Sequence, residues 1–309
     1  MAGRPTDSAD PQAPPAITVF IPARNAQRTL ARCLSAVTAS TGVTVRTVVI
    51  DDRSTDRTAD LARAGGAEVI PTPPPGGLGI ARNVALDACQ TRYLGFLNSD
   101  CYPEPDWLAQ LCKAAATTGA AIVGGRQDEL RSSTAAERWK ALHLRQDLGN
   151  QVVENPDYLS GGNLVLDLDQ VGDLRFAAGY TIAYEDVDFC RRLRSAGRRL
   201  HYFPSGMVWH DHEETLRTLP RKVWSYGAFS RSVGEYSSVF GALRAAVRMH
   251  RRPHDQLRNA LRDDLRHGRV GFVALDLFLF AASLRLFLIN RRGQHATAMV
   301  PPASLGESG

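Results

Sequence analysis

Residues 93–100 read Tyr93-Leu94-Gly95-Phe96-Leu97-Asn98-Ser99-Asp100. The apolar run has no polar alternation, which is the pattern of a strand buried on both faces rather than one with a wet side. It stops at once in Asn98, Ser99 and Asp100. Asn98 and Asp100 put two oxygen-bearing side chains, one residue apart, at the carboxyl end of a core strand. Such a pair can share a divalent cation, since Mg²⁺ and Mn²⁺ are hard ions that take oxygen ligands and complete their shell with phosphates.

Working outward, Ile17–Ile21 (ITVFI) is a second continuous apolar run, followed by a turn at Pro22-Ala23-Arg24-Asn25. Leu30, Leu34 and Val37 then recur at helical spacing. Val45–Ile50 is another buried strand, ending in Asp51-Asp52-Arg53-Ser54-Thr55-Asp56, where Ser54 and Thr55 can cap the next helix. Ala67–Ile70 is a strand, Pro71–Gly79 a loop of prolines and then glycines, and Ile80–Ala88 a helix. Strands alternating with helices imply an α/β chain with a parallel sheet covered on both faces. Ligands of such sheets bind at the carboxyl ends of the strands. Asn25, Asp52 and Asp100 fall there.

The character changes at 126–158, which is polar with one helix expected around Ala135–Leu148. Ser160-Gly161-Gly162-Asn163 leads into a strand at Leu164–Leu168. Glu185-Asp186 opens a helix, Val187–Ala196, and Arg199–Phe203 and Met207–His210 read as two short strands. From Thr215 the period is helical and arginine-rich. Residues 270–289 are almost wholly apolar, with Asp276 and Arg285 embedded. A bilayer span needs ~20 residues, but each charge opposes insertion by roughly 3 kcal/mol. A helix packed on the domain or lying at a membrane interface is therefore expected over a true span.

The 309 residues are 44% hydrophobic and 22% charged, an ordinary globular composition. The five cysteines form no CxxC pair and read as reduced, scattered thiols. The first sixteen residues are polar and rich in Pro and Ala, the composition of a disordered leader, with no signal-peptide pattern. Charge is uneven. Residues 1–214 hold 22 Lys+Arg against 26 Asp+Glu, a net of −4, while residues 215–309 hold 15 against 6, a net of +9. Such asymmetry points the C-terminal part at an anionic surface, of phospholipid or a lipid phosphate. A solvated basic helical face competes with that reading. Nucleic acid is disfavoured, because no stacking-aromatic or zinc pattern accompanies the arginines.

Several residues carry candidate chemistry. Asp52, just past a buried strand, can accept hydrogen bonds from a nucleobase or a ribose hydroxyl; the plainer role is helix capping. Arg82, near Gly79 and Asn83 where a loop enters a helix, can neutralise diphosphate oxygens as a fixed planar donor. Glu185 and Asp186 are adjacent carboxylates at a helix start, where one acid would merely complement the helix dipole. A transferase that attacks with a hydroxyl needs a general base, and one of the two can serve. His210 gains weight because a cation held by Asp100 needs further ligands, and His212 competes for that role.

The chain resembles a family 2 glycosyltransferase. The resemblance rests on VFIPARNAQRTLARCLSAV, VVIDDRSTDRT, GGLGIARNVAL, YLGFLNSDCYPEPDWL, SGGNLVL and YEDVDFCRRLRSAGRRLHYFPSGMVWH, in the family's order over about residues 17–212. It implies a GT-A type fold: a Rossmann-like, doubly wound, mostly parallel sheet with a helical C-terminal extension. The expected organisation is a leader (1–16), a transferase domain (17–214), a basic helical extension (215–299) that would associate with membrane, and a tail (300–309). The resemblance assigns the nucleotide to Pro22, Arg24, Asn25, Asp52, Arg82 and Ser99. The metal, Mg²⁺ or Mn²⁺, would take Asp100, His210 and Asn98, and the donor sugar or acceptor would meet Gly161, Gly162 and Asn163. Asp186 would be the catalytic base, with Glu185 shaping the acceptor site. Asn98 departs from the family, which has an acid there; a neutral amide is a weaker ligand.

The implied reaction is an inverting transfer from a nucleoside-diphosphate sugar, UDP- or GDP-linked, to a hydroxyl of a glycan, lipid-linked or small-molecule acceptor. The expected location is cytoplasmic, and the basic C-terminal charge is what would place the chain peripherally at the inner face of the cell membrane. A degenerate domain that binds nucleotide or glycan without turnover is the alternative, favoured only by Asn98. A dinucleotide oxidoreductase is disfavoured because Pro22-Ala23-Arg24-Asn25 stands where GxGxxG would follow the first strand. A nucleotidyltransferase would want a glycine-rich basic loop at the same place.

Overall fold

The computed structural model describes residues 15–181, 183–228 and 256–293. They divide into two compact units. One runs to Leu130 and resumes over Gln146–His212; the other takes Arg131–Arg145 and the residues from Glu213 onward. Arg131–Arg145 lies inside the 17–214 segment expected as one domain, yet groups with the second unit. The expected leader up to residue 14, the tail 300–309, and 229–255 and 294–299 of the extension lie outside the described residues.

The first unit is built on a nine-stranded sheet. Its elements are β1 (Ala16–Ala23), α1 (Leu30–Thr38), β2 (Thr44–Asp51), α2 (Thr58–Ala64), β3 (Glu68–Pro71), α3 (Leu78–Ala88), β4 (Tyr93–Leu97), β5 (Cys101–Pro103), α4 (Trp107–Thr118) and β6 (Ile122–Glu129). After α5 (Ala135–His143), which belongs to the second unit, come β7 (Val153–Glu154), β8 (Asn163–Asp167), α6 (Leu168–Val171), α7 (Glu185–Ser195) and β9 (Leu200–His210). The order is β3-β2-β1-β4-β8-β6-β9-β5, with β7 on β9. β1, β2, β3, β4, β6 and β9 share one direction, and β5, β7 and β8 are reversed. The mostly parallel sheet expected from the sequence is present.

Alternation within the apolar runs explains the two layers. Ile17, Val19, Ile21, Tyr93 and Leu97 face one core, together with Leu30, Leu34 and Val37 of α1 and Trp107, Leu108 and Leu111 of α4. Phe20, Leu94 and Phe96 face the other, against Ala81, Ala85 and Leu86 of α3 and Phe189, Cys190 and Leu193 of α7. Each strand therefore buries both faces, and its carboxyl end is left as the place where polar groups can meet a ligand.

Two sequence expectations change. Arg199–Phe203 and Met207–His210 are not separate strands but parts of β9. Pro204 and Gly206 look like breakers in isolation, but a register shift between Gly125 and Gln127 of β6 absorbs the irregularity. The helix expected over Ala135–Leu148 ends at His143. All five cysteines are free and buried.

The second unit contains α5, α8 (Leu219–Ala228), α9 (Gln256–Arg266) and α10 (Val270–Gly293). α5 starts with a capping box between Thr134 and Glu137. Trp139, Leu219, Ala260, Leu275 and Leu279 form its core. Asp276, out of place in an apolar run, points inward and accepts the Trp139 indole N–H at 2.7 Å. No helix among the described residues is long and apolar enough to cross a membrane. The Arg285 side chain lies outside the described residues.

Candidate functional site

Strand register builds a cluster of cation-binding type. Cys101 of β5 and Glu129 of β6 both pair with His210 at the end of β9. Asp100, one residue before β5, brings Oδ2 to 3.3 Å from His210 Nε2 and 3.4 Å from His212 Nδ1. The ligand atoms of Asp100, His210 and His212 lie within 4.8 Å of one another. Behind them, Glu129 Oε1 lies 3.0 Å from His210 Nδ1. A metal-binding histidine held through its other nitrogen by a carboxylate is the usual supporting arrangement.

Burial works against charge on Asp100, but hydrogen bonds from both histidines hold its carboxyl well below the ordinary range. His210 is likewise opposed by burial and raised by its hydrogen bonds to Asp100 and Glu129. The ionised carboxylate suits a divalent ion, which would have to displace the proton that Asp100 and Glu129 favour on His210. Asn98 directly follows β4. Its N–H donates to the Gly162 carbonyl at 3.3 Å, and a Cβ on Gly162 would come 2.9 Å from the Asn98 amide nitrogen. Ser99, between them, is half-buried.

The ends of β1 and β2 form the region expected to hold the nucleotide. Pro22 is half-buried near the end of β1, opposite Ile50. Asp52 Oδ1 accepts from Thr72 Oγ1 at 2.7 Å and from the Gly77 N–H at 2.9 Å. Asp52 Oδ2 lies 3.8 Å from the exposed Arg24 guanidinium. Asn25 adopts a left-handed φ of 51°. Its Oδ1 accepts the Thr55 N–H at 2.8 Å, and its own N–H donates to Ser54 Oγ at 3.0 Å. Asn25 thus ties two loops together, while Arg24 remains 67% exposed at the rim.

Glu185 and Asp186 lie at the start of α7. Tyr184 before them holds a φ of 73°, a conformation bulky residues adopt only when their surroundings impose it. β8 runs antiparallel, so its first residue, Asn163, sits beside Leu97 at the carboxyl end of β4. Gly161, two residues earlier, donates its N–H to Asp186 Oδ2 at 2.7 Å. Asn163 itself is buried and donates to the Arg126 and Gly206 carbonyls at 2.9 and 2.8 Å. Asp186 is therefore carried to the same edge of the sheet as Asp100.

Arg82, expected at a diphosphate, is only 1% exposed. Its Nε donates to Glu185 Oε1 at 2.8 Å and its Nη2 to the Gly161 carbonyl at 3.1 Å. The guanidinium lies 4.6 Å from the centre of the Phe96 ring. Arg82 Nη1 and Glu185 Oε2 find no hydrogen-bond partner among the described residues, and an unmatched buried polar group costs about 1–3 kcal/mol. Burial pushes the Glu185 carboxyl up to about 7; Arg82 opposes the shift and Asp186 adds to it.

Glu129 and Thr72 were not singled out from the sequence, and Asn83 was named only as a neighbour of Arg82. Glu129 had a signal, an acid closing the run Ile122–Glu129, but it lies in a stretch read as a change of character. Thr72 and Asn83 act through partners 20 and 93 residues away, which no local pattern reveals.

The family model described as Glycosyl transferase family 2 matches residues 18–169. The pre-mycofactocin glycosyltransferase of Mycobacterium tuberculosis is 31% identical over 220 residues, covering 68% of this chain and 46% of that protein. Glycosyltransferase AglE of Haloferax volcanii is 27% identical over 197 residues, covering 61% of this chain and 64% of its own length. The chain thus spans about half to two thirds of the curated relatives it matches. Among solved structures, S. aureus TarS 1–349 superposes with a TM-score of 0.53 at 15% identity, covering 91% of this chain and 93% of that one. At that identity the likeness is one of fold.

Proposed function

The chain belongs to the glycosyl transferase family 2 and has its GT-A fold, and on that premise we propose that it moves a sugar from a nucleoside-diphosphate sugar to an acceptor hydroxyl with inversion. The observation that carries the proposal is the hydrogen bond from the Gly161 N–H to Asp186 Oδ2 at 2.7 Å. It aims a carboxylate at the sheet edge that also carries Asp100, His210 and His212. Asp186 takes the proton from the acceptor hydroxyl, whose oxygen attacks the anomeric carbon, and the nucleoside diphosphate leaves from the opposite face. One displacement suffices, so no enzyme nucleophile is needed.

Asp100, His210 and His212 would hold the divalent ion, which when bound neutralises charge on the leaving diphosphate. Two imidazoles beside one carboxylate favour Mn²⁺ over Mg²⁺, which prefers oxygen throughout. Asp52 and Arg24 are the nucleotide contacts, with UDP- or GDP-sugars as donors. Gly161 and Gly162 line the sugar or acceptor, where any side chain would collide with Arg82, Gln127 or Asn98. The acceptor class is a glycan, a lipid-linked or a small-molecule hydroxyl. The basic C-terminal part favours action at the cytoplasmic face of an anionic membrane.

The test is a thermal-shift panel of nucleoside diphosphates with and without Mn²⁺. A ligand that binds only the native state adds about 2.7 kcal/mol at a hundredfold excess over its Kd. A metal-dependent shift with one nucleotide supports the reading and names the base. Absence of any shift would count against a nucleotide site in this chain.

A further inference from the structure

The glycine-rich segment 77–83 has the look of a phosphate loop running into a helix, yet its polar groups are turned elsewhere. The N–H groups of Leu78 and Gly79, which a bare helix start would offer to an anion, donate to the carbonyls of Thr181 and Tyr180 at 3.1 and 2.9 Å. Asn83 makes a reciprocal pair with the Phe176 backbone, donating from Nδ2 at 2.9 Å and accepting at Oδ1 at 2.8 Å. A Cβ on Gly79 would come within 2.4 Å of the Ala177 carbonyl, so only glycine permits the approach. Arg82 then grips both sides of Asp186. It holds Glu185, the preceding residue, and it holds the carbonyl of Gly161, whose N–H holds Asp186. Phe176 stacks on Phe189 of α7 with ring centres 3.9 Å apart, joining the docked segment to the helix that carries the acid.

We propose that 77–83 is a dock for 176–181 and for the start of α7, and that Arg82 and Asn83 are positioning residues for Asp186 rather than ligands of the donor diphosphate. The inference rests on the reading of Asp186 as base. Two of the Arg82 nitrogens are committed and the side chain is closed off from solvent, whereas a diphosphate clamp must present its donors to the ligand. A base displaced by an ångström loses about a hundredfold in rate while the donor still binds.

The experiment uses the full chain with Asn83→Ala and Arg82→Lys. UDP and GDP affinity with Mn²⁺ is measured by calorimetry. Turnover is read as nucleoside diphosphate released from UDP-glucose or GDP-mannose, with hydrogen exchange followed at 176–181. The dock predicts faster exchange at 176–181 in Asn83→Ala, with nucleotide Kd within about twofold of the parent and kcat lowered ten- to hundredfold. It also predicts a loss of kcat at least as large in Arg82→Lys, which keeps the charge beside Glu185 but not the fork that also reaches Gly161. Tenfold weaker nucleotide binding with kcat unchanged would overturn the proposal, as would unchanged exchange in Asn83→Ala. Normal turnover in Asp186→Asn sinks the base reading instead, and the exchange data still decide the dock.

Discussion

Glu129 and His210 face each other across the β6–β9 pair, with Glu129 Oε1 3.0 Å from His210 Nδ1. That contact holds the ring through Nδ1 and leaves Nε2 on the Asp100 side, where it could ligate a metal. Glu129→Gln should therefore weaken Mn²⁺ binding by about tenfold, the low end of what a supporting carboxylate contributes. Asp100→Asn, which removes the ionised ligand, should weaken it further. Calorimetric titration of each variant with Mn²⁺ alone is the measurement, and parent-like affinity in Asp100→Asn would remove the cluster from consideration as the metal site.

Asn98 and Asp100 lie on either side of Ser99 in the connection between β4 and β5, and an amide oxygen donates less to a cation than a carboxylate does. Asn98→Asp is expected to tighten Mn²⁺ binding. An unchanged Kd would mean that residue 98 does not approach the ion and only faces Gly162.

The buried pair of Arg82 and Glu185 gives a pH signature. Burial first, and Asp186 after it, lift Glu185 to about 7 against about 4.3 in an unfolded chain. The folded state therefore holds this proton more tightly, and the contribution of Glu185 to stability falls as pH rises from about 4.5 through 7. Glu185→Gln lacks the titration. The difference in melting temperature, parent minus variant, should decline across that window and level off above it. A difference that is flat from pH 4 to 9 would show that Glu185 does not titrate there.

The sheet was legible because buried parallel strands write themselves as short apolar runs; Tyr93–Leu97 has the same bounds in sequence and structure. Asp100 and Asp186 were legible because acids at strand ends and helix starts stand out against such runs. What stayed hidden depends on register and on distant partners. Glu129 meets His210 only because β6 lies beside β9, and Arg82 finds Glu185 across 103 residues. A charged residue entering a helix after a glycine loop reads as a phosphate ligand, and its contact with Glu185 leaves no trace in the local pattern. Asp276 is similar: its place in an apolar helix makes sense only once Trp139 is opposite.

Val270, Ala274, Leu277, Phe278 and Ala281 are exposed on α10 at helical spacing, and Leu265 is exposed at the end of α9. Leu275 and Leu279 on the opposite side of α10 are buried in the second unit's core. An apolar stripe in a segment whose net charge is +9 is the composition of a surface that lies on anionic lipid, with apolar side chains in the interface and arginines toward headgroups. Each basic residue near such a surface contributes about 1 kcal/mol, and salt screens that term. The protein should sediment with phosphatidylglycerol vesicles at low salt and be released at high salt. It should ignore phosphatidylcholine vesicles, and Leu277→Glu with Phe278→Glu should lose binding even at low salt. Equal recovery in the supernatant with and without anionic vesicles would leave the basic face as solvated surface and remove the membrane from the proposed function.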